Sequence, residues 1–173
     1  MQRLESTLIS VMQNAQKLGY EGRRKRLRPV VEETHDLAGI AQLAAGRHWN
    51  DFTADQRKRY VAAFSELSVA TYADRFDGYA GETFKLQGER KLESGDVLVQ
   101  SVLAERGGGA TRFDYVLRQS EGRWAIVNII ADGVSDLAIK RSEYSGIVRT
   151  HGADELIARI RSKTAETGKG KSP

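Results

Sequence analysis

Residues 83–131, TFKLQGERKLESGDVLVQSVLAERGGGATRFDYVLRQSEGRWAIVNIIA, decide the fold. Apolar and polar side chains alternate here with the period of a strand. Phe84 and Leu86 alternate with Lys85 and Gln87, and Leu92 follows after a polar gap. Residues 97–104 form the next run. Glu105 to Ala110 holds three glycines and reads as a hairpin turn. In the third run, 111–119, Phe113, Tyr115 and Leu117 share one face, and Arg112, Asp114 and Arg118 share the other. Ser120-Glu121-Gly122 then turns the chain into residues 124–131. There Trp124, Ile126 and Ile130 lie on one face, and Ala125, Val127 and Ile129 on the other. Apolar residues on both faces mark a central or doubly covered strand. Four consecutive strands joined by short turns predict an antiparallel meander.

On either side of this run the period becomes helical. Leu4, Leu8, Val11, Met12, Ala15 and Leu18 recur every three or four residues, and Gly19 follows as a stop. A basic stretch comes next, Arg23, Arg24, Lys25, Arg26 and Arg28, closed by Pro29. A short helix is expected over 36–45, with Gly46 behind it. Thr53-Ala54-Asp55-Gln56 is a capping box, in which Thr caps the amide three residues on and Gln reaches back. It opens a helix to about residue 72. Two stripes run along that helix, Tyr60, Phe64, Leu67, Thr71 and Val61, Ser65, Val69, Tyr72, Phe76. Together they exceed a single ~100° apolar face, so neighbours are expected on two sides. After the strands, Ser135 caps a helix to about residue 150, and Gly152 separates it from another over 154–162. Helices, strands and helices again give an α+β fold: an antiparallel sheet of about four strands, its concave face covered by helices. One domain spans 1–164, and the polar tail 165–173 is expected to be disordered.

The 173 residues carry a net charge of +4 and no cysteine. Thiol catalysis, a disulfide framework and cysteine-ligated metals are thereby excluded. No apolar run approaches the ~20 residues that cross a bilayer. The opening MQRLESTLIS lacks the basic-then-apolar pattern of a secretion leader, as in a cytosolic protein or a mature form. His35, His48 and His151 are not spaced as a helical metal pair and read as surface or helix-end histidines. There is no nucleophile elbow, phosphate loop or zinc-protease motif, and Gly107-Gly108-Gly109 is a turn. The basic run fits either a solvated helix face or a surface drawn to an anionic membrane, lipid head groups or an acidic partner. No aromatics interleave with it, which disfavours nucleic acid. Three function classes remain. One is a binder with an apolar cavity. Another is a small isomerase or hydratase using Asp114 or Asp132 with Tyr115. The third is a solid-core adaptor.

A series of motifs narrows the choice. Trp49-x-x-Phe52-Thr53-x-x-Gln56-Arg57 is followed by Ala63-Phe64, then Thr71-Tyr72-Ala73-x-Arg75-Phe76-x-x-Tyr79-x-Gly81-Glu82-x-Phe84. Gly122-x-Trp124-x-Ile126, Asp132-Gly133-Val134-Ser135, Arg141-x-x-Tyr144 and Gly152-x-x-x-Leu156-Ile157 complete it. In order and spacing the series resembles the MlaC family of toluene-tolerance and lipid-transport auxiliary proteins. The segments at 71–76 and 141–144 are similar to its hopanoid-associated HpnM branch. Asn128 stands where the family commonly has Asp, and His35 where it commonly has Phe. The resemblance implies a cone-like sheet of the nuclear transport factor or cystatin type, with extra N- and C-terminal helices. It also implies a monomeric periplasmic lipid-binding shuttle rather than an enzyme, made with a leader that is removed. Its cargo would be phospholipid or a hopanoid-type lipid, with no other cofactor, no metal and no nucleic acid. Its partners would be an inner-membrane lipid transporter complex of the ABC type and an outer-membrane lipoprotein.

A carrier of this kind needs an apolar slot, an open rim and a mouth that can widen. One methylene moved out of water contributes roughly 0.8 kcal/mol, so a chain of about 15 contributes on the order of 12 kcal/mol. The expected slot walls are Val69, Tyr72, Phe76, Phe84, Leu86, Val99, Leu103, Phe113, Tyr115, Leu117, Ile126 and Ile147, with the Tyr72 and Tyr115 hydroxyls toward the rim and residues 36–49 as the moving part.

Overall fold

Thr53 opens the central helix as the sequence predicts. Its hydroxyl accepts from the Gln56 N–H at 3.2 Å, and the Gln56 side chain accepts from the Thr53 N–H at 3.0 Å. In the computed structural model, which describes residues 1–120 and 122–168, this helix is α4, Ala54–Arg75. Before it come α1 (Gln2–Gln13), α2 (Ala15–Thr34), α3 (Leu37–Ala45) and a 3-10 turn, Gly46–Asp51. After it come β1 (Thr83–Lys91), β2 (Val97–Ala104), β3 (Ala110–Ser120), β4 (Arg123–Ala131), the two-residue β5 (Val134–Ser135) and α5 (Asp136–Glu166). Helices α2, α3 and α5 all pack on α4. That explains its two apolar stripes, for Tyr60, Phe64, Leu67, Val69, Ala70 and Ala73 are all buried.

The sheet is an antiparallel meander in the order β1-β2-β3-β4-β5. Two irregularities alter what simple alternation suggests. Val116 pairs with Asn128 but Leu117 pairs with Ile126, leaving Val127 as an extra residue in β4. Such a bulge reverses facing beyond it. Ile126 therefore shares a face with Ile129 rather than with Ile130. A second shift leaves Gln87 extra in β1.

Several readings need correction. Gly19 (φ 60°) and Gly152 (φ 83°) break their helices, as expected. Pro29, however, does not end α2, which continues to Thr34. Leu27, Val30 and Val31 are buried on either side of it, and their packing outweighs the ~3 kcal/mol penalty of an internal proline. Residues 165 and 166 belong to α5 rather than to the tail. The expectation of disorder for residues 169–173 lies outside the described residues.

The basic run on α2 is neither a simple solvated face nor a free cationic patch. Arg23 is only 5 % exposed, and it donates to the Ala73 carbonyl at 2.8 Å and the Ala15 carbonyl at 3.2 Å. Ala73 lies in the last turn of α4, where the helix dipole presents partial negative charge. Arg24 and Arg28 both donate to Glu66 of α4, at 2.6 Å and at 2.6 and 2.7 Å. Arg28 above all, with Arg24, holds the Glu66 carboxyl below its ordinary range. Arg23, Arg24 and Arg28 therefore clamp α2 to α4, while Lys25 and Arg26 stay exposed as the solvated face.

The α2–α3 junction is pinned to β4. His35 forms a parallel bridge with Ile126, and the Asp36 N–H donates to the Ile126 carbonyl at 3.0 Å. Contrary to the surface reading, His35 is buried. Burial pushes its pKa down to about 4, so the ring is neutral in the native protein.

Thr53→Ala is expected to cost about 1 kcal/mol. That corresponds to a melting point about 2–4 °C lower in a thermal scan. His35 makes stability pH-dependent, because its native value lies below the ~6.5 of the unfolded chain. Its contribution is complete above pH ~6.5 and is lost as pH falls toward the native value, because the unfolded state takes up the proton first. Urea unfolding at pH 4.5 against pH 7.5 should show a loss of roughly 2–3 kcal/mol that is missing in His35→Phe.

Candidate functional site

At the pinned end of the sheet, Val97, Leu117 and Ile126 meet the helical core. At the other end the helices stand off, leaving a cavity of about 410 Å³. An engineered apolar cavity of about 150 Å³ takes one benzene ring. The space here therefore suits a chain or a fused ring system. Helix α4 contributes Phe64, Ser68, Thr71, Tyr72 and Arg75 to the wall, and Phe76 follows at its C-cap. The strands contribute Leu103, Thr111, Phe113, Tyr115, Asn128, Ile129 and Ala131, and α3 contributes Leu37 and Ile40. Val134 and Ile139, 55 % and 53 % exposed, lie at its margin, so the cavity opens to solvent there.

The β4–α5 connection positions this mouth. Asp132 (φ 47°) and Gly133 (φ 83°) occupy the left-handed region, as a tight Asp-Gly hairpin requires. The Asp132 carboxylate accepts from the Arg112 N–H at 2.8 Å. Ser135 caps α5 by accepting from the Ala138 N–H at 3.1 Å. Asn128 Oδ1 in turn accepts from the Ser135 hydroxyl at 3.2 Å and from the Leu137 N–H at 3.3 Å. Asn128 thus ties β4 to the first turn of the helix that frames the opening. Asp136 and Lys140, ion-paired across one turn of α5, add a charged edge beside Arg75.

The polar interior centres on His35. Its Nδ1 lies 3.0 Å from the Val31 carbonyl and 3.0 Å from Thr34 Oγ1, whose own proton goes to the Val30 carbonyl. Both neighbours accept, so Nδ1 carries the ring hydrogen. Nε2 is then the lone-pair nitrogen, and Tyr72 Oη donates to it at 3.0 Å. Burial raises the Tyr72 and Tyr115 pKa values, so both phenols stay protonated.

Of the expected wall residues, Tyr72, Phe76, Leu103, Phe113 and Tyr115 line this cavity. Phe84 sits behind it, its ring centroid 6.1 Å from that of Phe113. Val69, Val99 and Ile126 are buried in the packed core, and Ile147 rests against that core half-buried. Leu117 and Ile126 also border a smaller hollow of about 260 Å³ beside Met1, Arg3 and Trp124. Leu86, on edge strand β1, is 61 % exposed and lies outside the cavity. The Tyr72 and Tyr115 hydroxyls do not sit at the rim: one bonds buried His35, and Tyr115 is only 2 % exposed. Alternation tells which face a residue is on, but not which half of that face the helices fill.

The acid–base candidates are placed elsewhere. Asp114 accepts two bonds from Arg112, at 3.0 and 2.8 Å, on the face opposite Tyr115. Asp132 is the turn residue just described. Asp136 is the carboxylate on the cavity wall, and sequence reasoning passed over it along with Asn128, Ile129, Leu37 and Ile40. Two signals were present. The Ser135 cap places residues 136–140 at the end of β4, and the two departures from the family pattern, His35 and Asn128, both fall on the wall.

Comparison with known proteins follows the same lines. A family model described as MlaC protein matches residues 2–162. The intermembrane phospholipid transport system binding protein MlaC of Haemophilus influenzae is 22 % identical over 125 residues, covering 70 % of this chain. The chain spans 58 % of that relative's length. Among solved structures, the phospholipid-binding protein from Ralstonia solanacearum, in complex with a phospholipid, has a TM-score of 0.84 at 18 % identity. That match covers 97 % of this chain and 96 % of the other, and at such low identity what is shared is the fold. With a family match from residue 2 to residue 162, the chain belongs to the MlaC family.

Proposed function

We propose that this protein carries single lipid molecules between membranes, holding the apolar body of a phospholipid or a hopanoid-type lipid in the cavity with the head group at the mouth. The observation that carries this reading is the solvent-open apolar cavity of about 410 Å³, in a fold shared with a protein solved with phospholipid bound. Arg75 on its wall suits an anionic head group. In this reading the protein is a monomer and works in the periplasm. It accepts cargo from, or delivers it to, an inner-membrane lipid transporter complex and an outer-membrane lipoprotein. Lipid is its only ligand, and no bond is made or broken.

The energetics favour a carrier. Each methylene withdrawn from water gains roughly 0.8 kcal/mol, yet moving it from a bilayer into an apolar slot gains almost nothing. Such a site prevents escape into water without trapping its cargo. Direction must come from docking to the partners. The isomerase reading loses its proposed bases, because Asp114 and Asp132 are both engaged by Arg112 away from the cavity. A solid-core adaptor has no use for a cavity open to solvent.

Native mass spectrometry of the purified protein should show one co-purified lipid per chain. Filling the cavity by Leu103→Trp should cost about 1–3 kcal/mol of binding, or roughly five- to a hundredfold in affinity. Leu86→Trp, at an exposed site outside the cavity, should bind as the unaltered protein does. Finding no lipid after purification, and no uptake from added phospholipid vesicles, would sink the carrier reading.

A further inference from the structure

The large cavity and the smaller hollow follow one another along the same three segments. On β3, Tyr115 lines the cavity, and Leu117, the next residue on that face, borders the hollow. On β4, Ile129 lines the cavity, and Ile126, which shares its face across the bulge, borders the hollow. At the α2–α3 junction, His35 lines the cavity and Thr34 the hollow. The changeover falls at one level of the fold, and the packing there is tight. Ile126, Tyr115 and His35 are 1 %, 2 % and 5 % exposed. The bridge between His35 and Ile126, with the bond from the Asp36 amide beside it, holds this partition in place. The cavity is therefore blind at the partition and open at the Val134 and Ile139 margin.

Its volume sets how much chain it takes. A cavity of about 150 Å³ holds the six carbons of benzene, so at that ratio about 410 Å³ holds about sixteen carbons. One ordinary acyl chain has that size. Two such chains, or a pentacyclic terpenoid skeleton of about thirty carbons, need roughly twice the space. The wall is tied against such an expansion. Asn128 joins β4 to the start of α5, Tyr72 is bonded to His35, and Arg23, Arg24 and Arg28 hold α4 to α2. Forcing extra volume into packed surroundings strains them.

We propose that the cavity is a ruler for a single apolar chain of about sixteen carbons, stopped at its inner end by His35, Tyr115 and Ile126. The class of cargo that fits it is a lysophospholipid, with its one chain inside and its phosphate at the mouth beside Arg75. This rests on the carrier reading and narrows it. A second chain stays outside, where it gains nothing from the slot.

A length series tests this. Lysophosphatidylcholines with chains of about 10 to about 22 carbons are added, below their micelle concentrations, to delipidated full-length protein, and binding is followed by displacement of a fluorescent fatty acid. Affinity should rise about fourfold per methylene and level at about sixteen carbons. Leu103→Trp, which fills part of the cavity, should make it level about two carbons earlier. Ile126→Ala, which thins the stop, should make it level later. In native mass spectrometry from one mixed micelle, palmitoyl-lysophosphatidylcholine should bind in preference to dipalmitoyl-phosphatidylcholine. A rise that continues to the longest chain, or levelling more than about four carbons from the expected length, would overturn the ruler and leave the carrier reading standing. So would an unchanged length in Leu103→Trp, or in Ile126→Ala once circular dichroism shows it folded, or a preference for the two-chain lipid. If no chain of any length binds and neither lipid is taken from the micelle, both readings fall.

Discussion

The hydrogen bond from the Asp36 amide to the Ile126 carbonyl, with the His35 bridge beside it, sets where helix and sheet meet. It holds the α2–α3 junction against the early part of β4. Around that point Val99, Ile126 and the body of Tyr115 are buried in one continuous helix–sheet core. Toward the far ends of β2 and β4, around Leu103 and Ala131, no such attachment among the described residues draws α4 onto the sheet. The hollow is the consequence of a helical layer pinned at one end and framed at the other by α5.

Holding such a hollow open requires rigidity elsewhere. Glu66 gathers Arg24 and Arg28 across the α2–α4 interface, and Arg23 is buried against helix carbonyls. The aromatic rings of Trp49, Phe52, Tyr60, Phe64 and Tyr144 pack around the start of α4, and Tyr60 donates to the Ala41 carbonyl at 3.0 Å. Arg57 lies over the Trp49 ring at 5.2 Å. The residues that made the sequence recognisable are largely these supports. They hold the elements in place around the cavity rather than lining it, with Phe64, Thr71, Tyr72, Arg75, Phe76 and Val134 as the exceptions.

His35 combines both roles. Through its backbone it joins the helices to β4, and through its ring it orients a phenol on the cavity wall. A phenylalanine at that position would preserve packing and remove the acceptor, releasing the Tyr72 proton. The chemistry of the interior is thus coupled to the same junction that shapes it.

Much of this was readable in the chain. Period-2 alternation, the Thr53 capping box, and the glycines at 19 and 152 act over a few residues, so the meander, the central helix and the helix breaks follow from sequence. Most of the cavity wall did not. Whether Val99 meets a helix or Leu103 meets empty space depends on residues more than 25 positions away, and the extra Val127 in β4 reverses facing without a glycine or proline to announce it. Arg24 and Arg28 of α2 looked free because Glu66, which pairs with both, is about forty residues distant. Local pattern determined which faces are apolar; only the tertiary structure decided which of those faces are filled, because filling depends on how far separate elements approach one another.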